Sequence, residues 1–437
     1  MKKLLSLSLF IALSTTFYGQ ENHKKCNTTL LVNQELRDNP DYATGRKKSM
    51  GENSIWMASN HTEKFTINIP VVIHIVHRVS HANVGTGTNI SDVQIEDALR
   101  ILNEDYSKTN PEFPNPPRTT FLANAGNPDL QFCLATTDPD GNPTTGITRT
   151  STTKNSFDAD NESNDMKKDN THGKDGWDPS RYLNIWVCNL SNVGGGQTLG
   201  YAYLPGLWVN QQWKDGLVVD YQYFGTSGAA AASSDGRTPT HEIGHYLGLE
   251  HTFCESQSGG CCDNDGGNVN DTPASEDIYW GAVTSTTNNN TCNDLSYSNI
   301  FTTNVLDMDE NYMSYASTTW MFTNDQVNVM YATLNGYRSS LKNSTVSMNC
   351  NGIISSNLNE LNEKISIYPN PSNGKLFIST SELIKSIKVT NIIGKEIYSN
   401  NNFNNNSIDL INFNNGVYFI NLSTVKGTIT KKIILTK

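Results

Sequence analysis

Two periodicities alternate along the middle of the 437-residue chain. From Phe65 to Val79 the sequence is rich in Val and Ile, with the near-continuous apolar run Pro70-Val71-Val72-Ile73-His74-Ile75-Val76 at its centre. Such a run predicts a strand buried on both faces. His74 and His77 lie within it without a partner motif and read as structural. Behind Ser91 and Gln94, a capping-box pair, Val93, Ile95, Ala98, Leu99, Ile101, Leu102 and Tyr106 recur at helical spacing and predict a long helix on the sheet. Further strands are expected at 130–135, 183–189, 199–204 and 217–223, between turns rich in Gly, Asn and Asp. Thr323 with Gln326 opens another amphipathic helix through Val327, Met330, Tyr331 and Leu334. After a Ser- and Asn-rich stretch, short alternating segments at 364–368, 375–379, 387–391, 395–398, 407–410, 416–422 and 428–435 predict a small all-β module.

Between these elements, residues 241–251 read His-Glu-Ile-Gly-His-Tyr-Leu-Gly-Leu-Glu-His. On a helix His241 and His245 project from one face and can share a metal ion, with Glu242 beside them. Thr238 as cap and Pro239 as first helical residue put His241 in the opening turn. Gly248 lets the backbone leave through a left-handed conformation and return His251 as third ligand. Three neutral imidazoles leave one tetrahedral position of Zn2+ open, the arrangement of a catalytic site. The expected chemistry is peptide hydrolysis, with a metal-acidified water, Glu242 as general base and a polarised carbonyl. The other reading of the stretch is an exposed amphipathic helix with incidental histidines.

Asn311-Tyr312-Met313-Ser314-Tyr315 has the character of a methionine turn. Met313 is expected beneath the histidines, and the Tyr315 hydroxyl is expected to hydrogen-bond a developing oxyanion. With Asp271-Thr272-Pro273 and Phe322-Thr323-Asn324-Asp325-Gln326, these residues resemble the pappalysin family of metzincins, in particular its secreted bacterial members, from about Phe65 to about Leu341. The resemblance implies an α+β fold, a mixed twisted sheet with long helices and zinc in the cleft. It also implies an endopeptidase with metal ligands His241, His245 and His251, base Glu242 and transition-state donor Tyr315. Gly200-Tyr201-Ala202-Tyr203-Leu204 is then the edge strand above the cleft, where a substrate peptide can add as a strand.

Cys26 is a candidate zinc ligand in a latent form, since a thiolate binds zinc strongly and pappalysin-like proenzymes place a cysteine similarly; an incidental thiol or a disulfide partner is the alternative. Cys254, Cys261, Cys262 and Cys292 are expected to form two disulfides in the loop after the zinc motif. The adjacent pair takes different partners, so Cys254 and Cys292 are the candidates. Of Cys133, Cys188 and Cys350, one is expected to remain a thiol. Asp263, Asp265 and Asp271, with Thr272, are candidate calcium ligands, and family members bind calcium near this stretch. The loop Ala316–Trp320 carries no acidic residue, whereas relatives that cut before Arg or Lys have one there, so no strong basic preference is expected.

Lys2 and Lys3 followed by an apolar run to about Ala12 mark residues 1–19 as a secretory signal, too short to span a bilayer. Residues 20–64 are polar with little periodicity and read as a propeptide, Arg46-Lys47-Lys48 being the expected processing site. The catalytic domain is assigned to 65–342, a linker to 343–362 and the β-sandwich to 363–437. Ile365-Ser366-Ile367-Tyr368-Pro369-Asn370-Pro371-Ser372-Asn373-Gly374, with Gly416-Val417-Tyr418 and Lys431-Lys432, looks like the sorting domain of type IX secretion substrates. That resemblance implies passage across the outer membrane through the type IX machinery and removal of the module; a retained surface-binding sandwich is the alternative. The net charge of −11 argues against nucleic acid or an anionic membrane as partner. The rivals to a secreted endopeptidase are a surface adhesin holding zinc without useful turnover and another zinc hydrolase such as an amidase.

Overall fold

The computed structural model describes residues 25–59, 66–192, 196–254, 262, 269–297, 301–350, 365–380, 383–391, 395–400, 403, 406–424 and 427–437. The leader, Cys261, Asp263 and Asp265 lie outside them. The first part of the chain runs α1 (Thr28–Asp38), α2 (Pro40–Met57), β1 (Ile67–Arg78), α3 (Asp92–Tyr106), β2 (Leu130–Ala135), β3 (Ile147–Thr152), β4 (Phe157–Asp158), β5 (Leu183–Cys188), β6 (Leu190–Ser191), β7 (Gly200–Ala202) and β8 (Leu217–Asp220). It continues with α4 (Thr238–Tyr246), α5 (Asp294–Tyr297), α6 (Asn324–Asn335), α7 (Ser339–Lys342) and β9 (Met348–Asn349).

β1 is the centre of a mixed sheet of order β7-β8-β5-β1-β2-β9, with β3 also paired to β1. Its lower half pairs in parallel with β2 and its upper half with β3 on one edge, while β5 runs parallel along the other. Covered on both edges and both faces, it needs the Val and Ile run that the sequence supplies. His74 is fully buried between Thr148 Oγ1 (2.8 Å) and Asn184 Oδ1 (3.0 Å), so it is structural. α3 lays Ile95, Ala98, Leu99 and Leu102 on Ile73, Ile75 and Leu134. β7, antiparallel to β8, closes the sheet at the cleft edge.

Several boundaries differ from the sequence reading. β7 stops at Ala202, and β8 stops at Asp220 because Tyr223 N bonds back to Asp220 O in a turn. Ser91 does cap α3 by accepting from Gln94 N, but the Gln94 side chain reaches the carbonyls of Tyr221 and Phe224 instead of completing a capping box. The polar segment before β1 contains two helices, α1 and α2. Arg46 sits within α2, 8% exposed, and its guanidinium donates to Pro205 O (3.2 Å) and Glu250 (2.9 Å). A folded helix with that arginine buried does not present Arg46-Lys47-Lys48 as a processing site.

The C-terminal module holds β10 (Ser366–Tyr368), β11 (Lys375–Ser379), β12 (Ile384–Asn391), β13 (Glu396–Asn400), β14 (Ser407–Asp409), β15 (Gly416–Thr424) and β16 (Gly427–Leu435). A three-stranded sheet, β10-β11-β14, and a four-stranded one, β13-β12-β15-β16, enclose Ile365, Leu376, Val389, Ile408, Ile420 and Leu422. The alternation expected of a sandwich is therefore present. Among the described residues no helix is long and apolar enough to cross a membrane.

Candidate active site

α4 carries the histidine motif into the interior, with every residue from Pro239 to Tyr246 buried. Thr238 does not cap it; the N-cap is Arg237, without a side-chain cap bond. The helix start is held by α3 instead: Thr240 Oγ1 donates to Asp105 Oδ2 (2.8 Å) and the Tyr106 hydroxyl to Thr240 O (3.0 Å). At the other end Gly248 takes φ +100°, where a side chain would be strained, and the chain turns back as expected.

The Nε2 atoms of His241, His245 and His251 converge to within 3.1 to 3.2 Å of one another. His241 Nδ1 faces Tyr312 O at 2.7 Å and His245 Nδ1 faces Leu249 O at 2.8 Å. Carbonyls only accept, so each ring carries its proton on Nδ1 and turns a lone pair inward from Nε2. Burial holds all three below the usual histidine range, His241 at about 4, so they are neutral. Donors at 2.0–2.1 Å from a tetrahedral zinc lie about 3.3 Å apart, which this trio matches. Phe253 stacks on His251 at 4.8 Å and Tyr315 stands against it edge-on at 5.0 Å.

Met313 lies fully buried beneath the helix at Gly244, where an added Cβ would meet its Sδ at 2.3 Å. Only glycine lets the methionine in. The turn is fixed by Asn311, whose Oδ1 accepts from Met313 N (2.9 Å) while its amide pairs reciprocally with that of Gln326 in the α6 capping box. Below it, Glu310 forms a buried ion pair with Arg118.

Glu242 is 1% exposed, and burial pushes its carboxyl up to about 8, against the donors Cys26 and Thr28. Cys26 Sγ lies 3.4 Å from Glu242 Oε2 and belongs, with the three histidines, to one group of ligand atoms within 4.8 Å. The segment around it lies along β7: Asn27 N donates to Gly200 O (3.1 Å), Leu199 N to Lys25 O (2.9 Å), and Thr28 Oγ1 to Ala202 O (3.1 Å). The free edge of β7 thus holds a peptide, in parallel, through Cys26 and Gly200. Gly200 permits this crowding, since a Cβ there would sit 2.9 Å from Glu242 Cγ. Lys25 Nζ donates to Tyr315 O (2.6 Å) and Ala316 O (3.2 Å), so an ammonium is held beside the acid-free loop by carbonyls.

The remaining candidates divide. Cys262 pairs with Cys292, Cys254 is disulfide-bonded, and Cys133 pairs with Cys350, leaving Cys188 a buried thiol. Asp271 Oδ1 and Thr272 Oγ1 are buried and meet no hydrogen-bond partner among the described residues. Sequence reasoning missed Asp105, which accepts from both Thr240 and the Tyr312 hydroxyl (2.6 Å) and so ties α4 to the Asn311–Tyr315 turn. Its signal was available: a carboxylate among the apolar positions of α3, next to Leu102 and Tyr106.

Known proteins share this arrangement. Residues 165–335 match the peptidase family described as pregnancy-associated plasma protein-A. A promirolysin variant from Tannerella forsythia superposes with a TM-score of 0.60 at 33% identity, covering 73% of this chain and 97% of that one. The chain belongs to this family, the pappalysins. Mature mirolysin in complex with a cleaved peptide matches at 35% identity and a TM-score of 0.54, over 64% of this chain and 97% of that one. Among curated relatives, an extracellular metalloprotease of Arthroderma gypseum is 27% identical over 240 residues, 54% of this chain and 65% of the relative. One of Arthroderma otae is 41% identical over 93 residues, 21% of this chain and 31% of the relative. The chain spans less than two thirds of the length of these first curated relatives. Residues 366–436 match the secretion-system C-terminal sorting domain, which marks this pappalysin for export by type IX secretion.

Proposed function

We propose that the chain is a secreted zinc-dependent endopeptidase produced as a latent precursor. The observation that carries this reading is the convergence of three neutral imidazole Nε2 atoms beside a buried glutamate. His241, His245 and His251 would hold the metal, and an N3 donor set suits zinc. Zinc, when bound, supplies Lewis acidity toward water and a peptide carbonyl. Glu242, held in low dielectric, takes the proton of the attacking water and passes it to the leaving amine. The Tyr315 hydroxyl donates to the developing oxyanion, a reading supported by its donation to Cys26 O at 3.4 Å. Peptide substrates pair with the β7 edge that the chain's own residues 25–28 occupy.

Residues 20–64 act as the propeptide, with Cys26 as fourth donor to the metal. In support, the match to promirolysin reaches over more of this chain than the match to the mature form, and residues 25–28 lie along β7 beside the histidines. The activating cut falls after α2, between Met57 and β1. Asp271 and Thr272 bind calcium, since their orphaned buried oxygens need a cation or donor. The catalytic domain spans 65–342 and the sorting module, 363–437, is removed on export. Glu242 and relatives named as metalloproteases weigh against a surface adhesin.

The test incubates processed protein with a denatured proteome, with and without a zinc chelator, and sequences the new peptide ends. Chelator-sensitive cuts are expected, reduced by about 10²- to 10⁴-fold in Glu242→Gln with zinc still bound. Cutting that persists in the chelator, or in Glu242→Gln, would refute the mechanism.

A further inference from the structure

The face that α1 covers is basic and aromatic. Leu31 and Tyr42 are buried against Phe157, Leu190, Tyr203 and Leu207. Four residues beyond Leu31, on the same side of α1, Glu35 forms an ion pair with Lys214 in which both side chains are only 12–13% exposed. Lys167 lies beneath, donating to Lys214 O (2.6 Å) and set 4.8 Å from the Tyr203 ring centroid, while Lys168 stands 4.2 Å over Trp213. Lys168 and Lys214 thus meet at one face, over the fully buried Lys167, in a chain whose net charge is −11. The loop ending at Lys214 also holds Trp208 and Val209 at 44% and 77% exposure, outside the cover of α1. Tyr203 follows directly on β7, so a peptide leaving that edge passes onto this face, as residues 28–38 do after Cys26.

We infer that, once the propeptide has left, this face is a docking site for substrate beside the cleft, taking a segment with an apolar residue and, one helical turn on, a carboxylate. The inference rests on the endopeptidase reading with 20–64 removed. The apolar side chain replaces Leu31 against Tyr203 and Leu207, and the carboxylate replaces Glu35 on Lys214. Charge complementarity fixes the occupant: a basic rim with an aromatic floor favours acidic segments and penalises basic ones. Specificity then comes from a region away from the scissile bond, which suits an enzyme whose post-turn loop lacks a carboxylate.

The experiment uses the processed protein and a core peptide from its first chelator-sensitive cut, extended on either side with Leu-x-x-x-Glu, Leu-x-x-x-Gln or Leu-x-x-x-Lys. One of the Glu extensions should raise kcat/KM about three- to tenfold over its Gln counterpart. Lys214→Ala should abolish that preference and Lys214→Glu should invert it toward the Lys peptide, with the unextended core cleaved equally by all three proteins. Equal cleavage of Glu and Gln peptides by the wild type, or a preference that survives Lys214→Ala, overturns the site. A second arm needs no turnover: a fluorescent peptide of residues 25–45 should bind the processed Glu242→Gln protein, and more weakly when Lys214→Glu is added. Binding indifferent to Lys214 overturns the inference. Lys214-dependent binding by a protein that makes no chelator-sensitive cut supports it and refutes the endopeptidase reading alone.

Discussion

The Cys26 thiol is 3.4 Å from Glu242 Oε2, so one side chain of the N-terminal segment meets both the proposed base and the histidine cluster. Burial and the neighbouring carboxylate raise the thiol well above its ordinary range. A cation at the histidines reverses that balance and favours the thiolate. Removing the sulfur should therefore weaken latency without touching the three histidines. Unprocessed Cys26→Ala precursor is expected to show chelator-sensitive activity, measured on intact chain, where the wild type shows little. Equal latency in both would assign inhibition to the peptide lying on β7 rather than to the thiol.

α2 approaches the catalytic domain closely where Gly45 meets Gly206. A Cβ at Gly45 would fall 2.0 Å from Gly206 O, a distance backbone atoms must move to relieve. Overpacking of this kind costs about 1–3 kcal/mol. Gly45→Val should loosen α2 in the precursor and speed limited proteolysis between Met57 and β1, while the processed enzyme, having lost the residue, keeps its melting temperature. Unchanged proteolysis would mean that α2 contributes little to holding the segment.

Arg118 and Glu310 form an ion pair at 3% and 0% side-chain exposure, with Arg118 also donating to Asp307 O, directly before the methionine turn. Breaking a buried pair leaves a charge without compensation, at a cost of about 3–5 kcal/mol. Glu310→Ala should lower the melting temperature sharply, and Arg118→Met combined with Glu310→Leu should recover part of the loss. A single substitution within experimental error of wild type would show that water reaches the pair.

What the sequence showed and hid follows from which residues carry each contact. β1 was visible because a strand covered on all sides must be Val- and Ile-rich, and α4 because metal ligands are fixed in type and spacing. α2 escaped because its buried stripe is Tyr42, Gly45, Arg46, Ser49 and Asn53, helical in spacing but small or polar in kind. Such a stripe seats α2 through close backbone approach, the Arg46–Glu250 pair and an Asn53–Thr333 hydrogen bond (3.0 Å) in place of a large apolar face. Asp105 escaped because its partners, Arg237, Thr240 and Tyr312, are all more than 130 residues away in sequence. The disulfides were legible as a set but not as pairs, since Cys133 and Cys350 are 217 residues apart and meet only through the β2–β9 pairing.

Asp271 and Thr272 turn buried oxygens, Oδ1 and Oγ1, toward no protein donor among the described residues, although Asp271 Oδ2 accepts from Asp325 N (3.0 Å) at the start of α6. Burial raises the Asp271 carboxyl above its usual range, a cost that a bound divalent cation removes. Ligand that binds only the folded state at a hundred times its Kd stabilises by about 2.7 kcal/mol. Calcium added to metal-depleted protein, with zinc restored first, should therefore raise the melting temperature by several degrees, and Asp271→Ala should abolish the shift while the zinc content stays at one equivalent. Because Asp271 braces the first turn of α6, the substitution alone will also destabilise, so the quantity to compare is the calcium-induced increment in each protein. An equal increment in both would place any calcium elsewhere, whereas none in either would leave the two oxygens to ordered water.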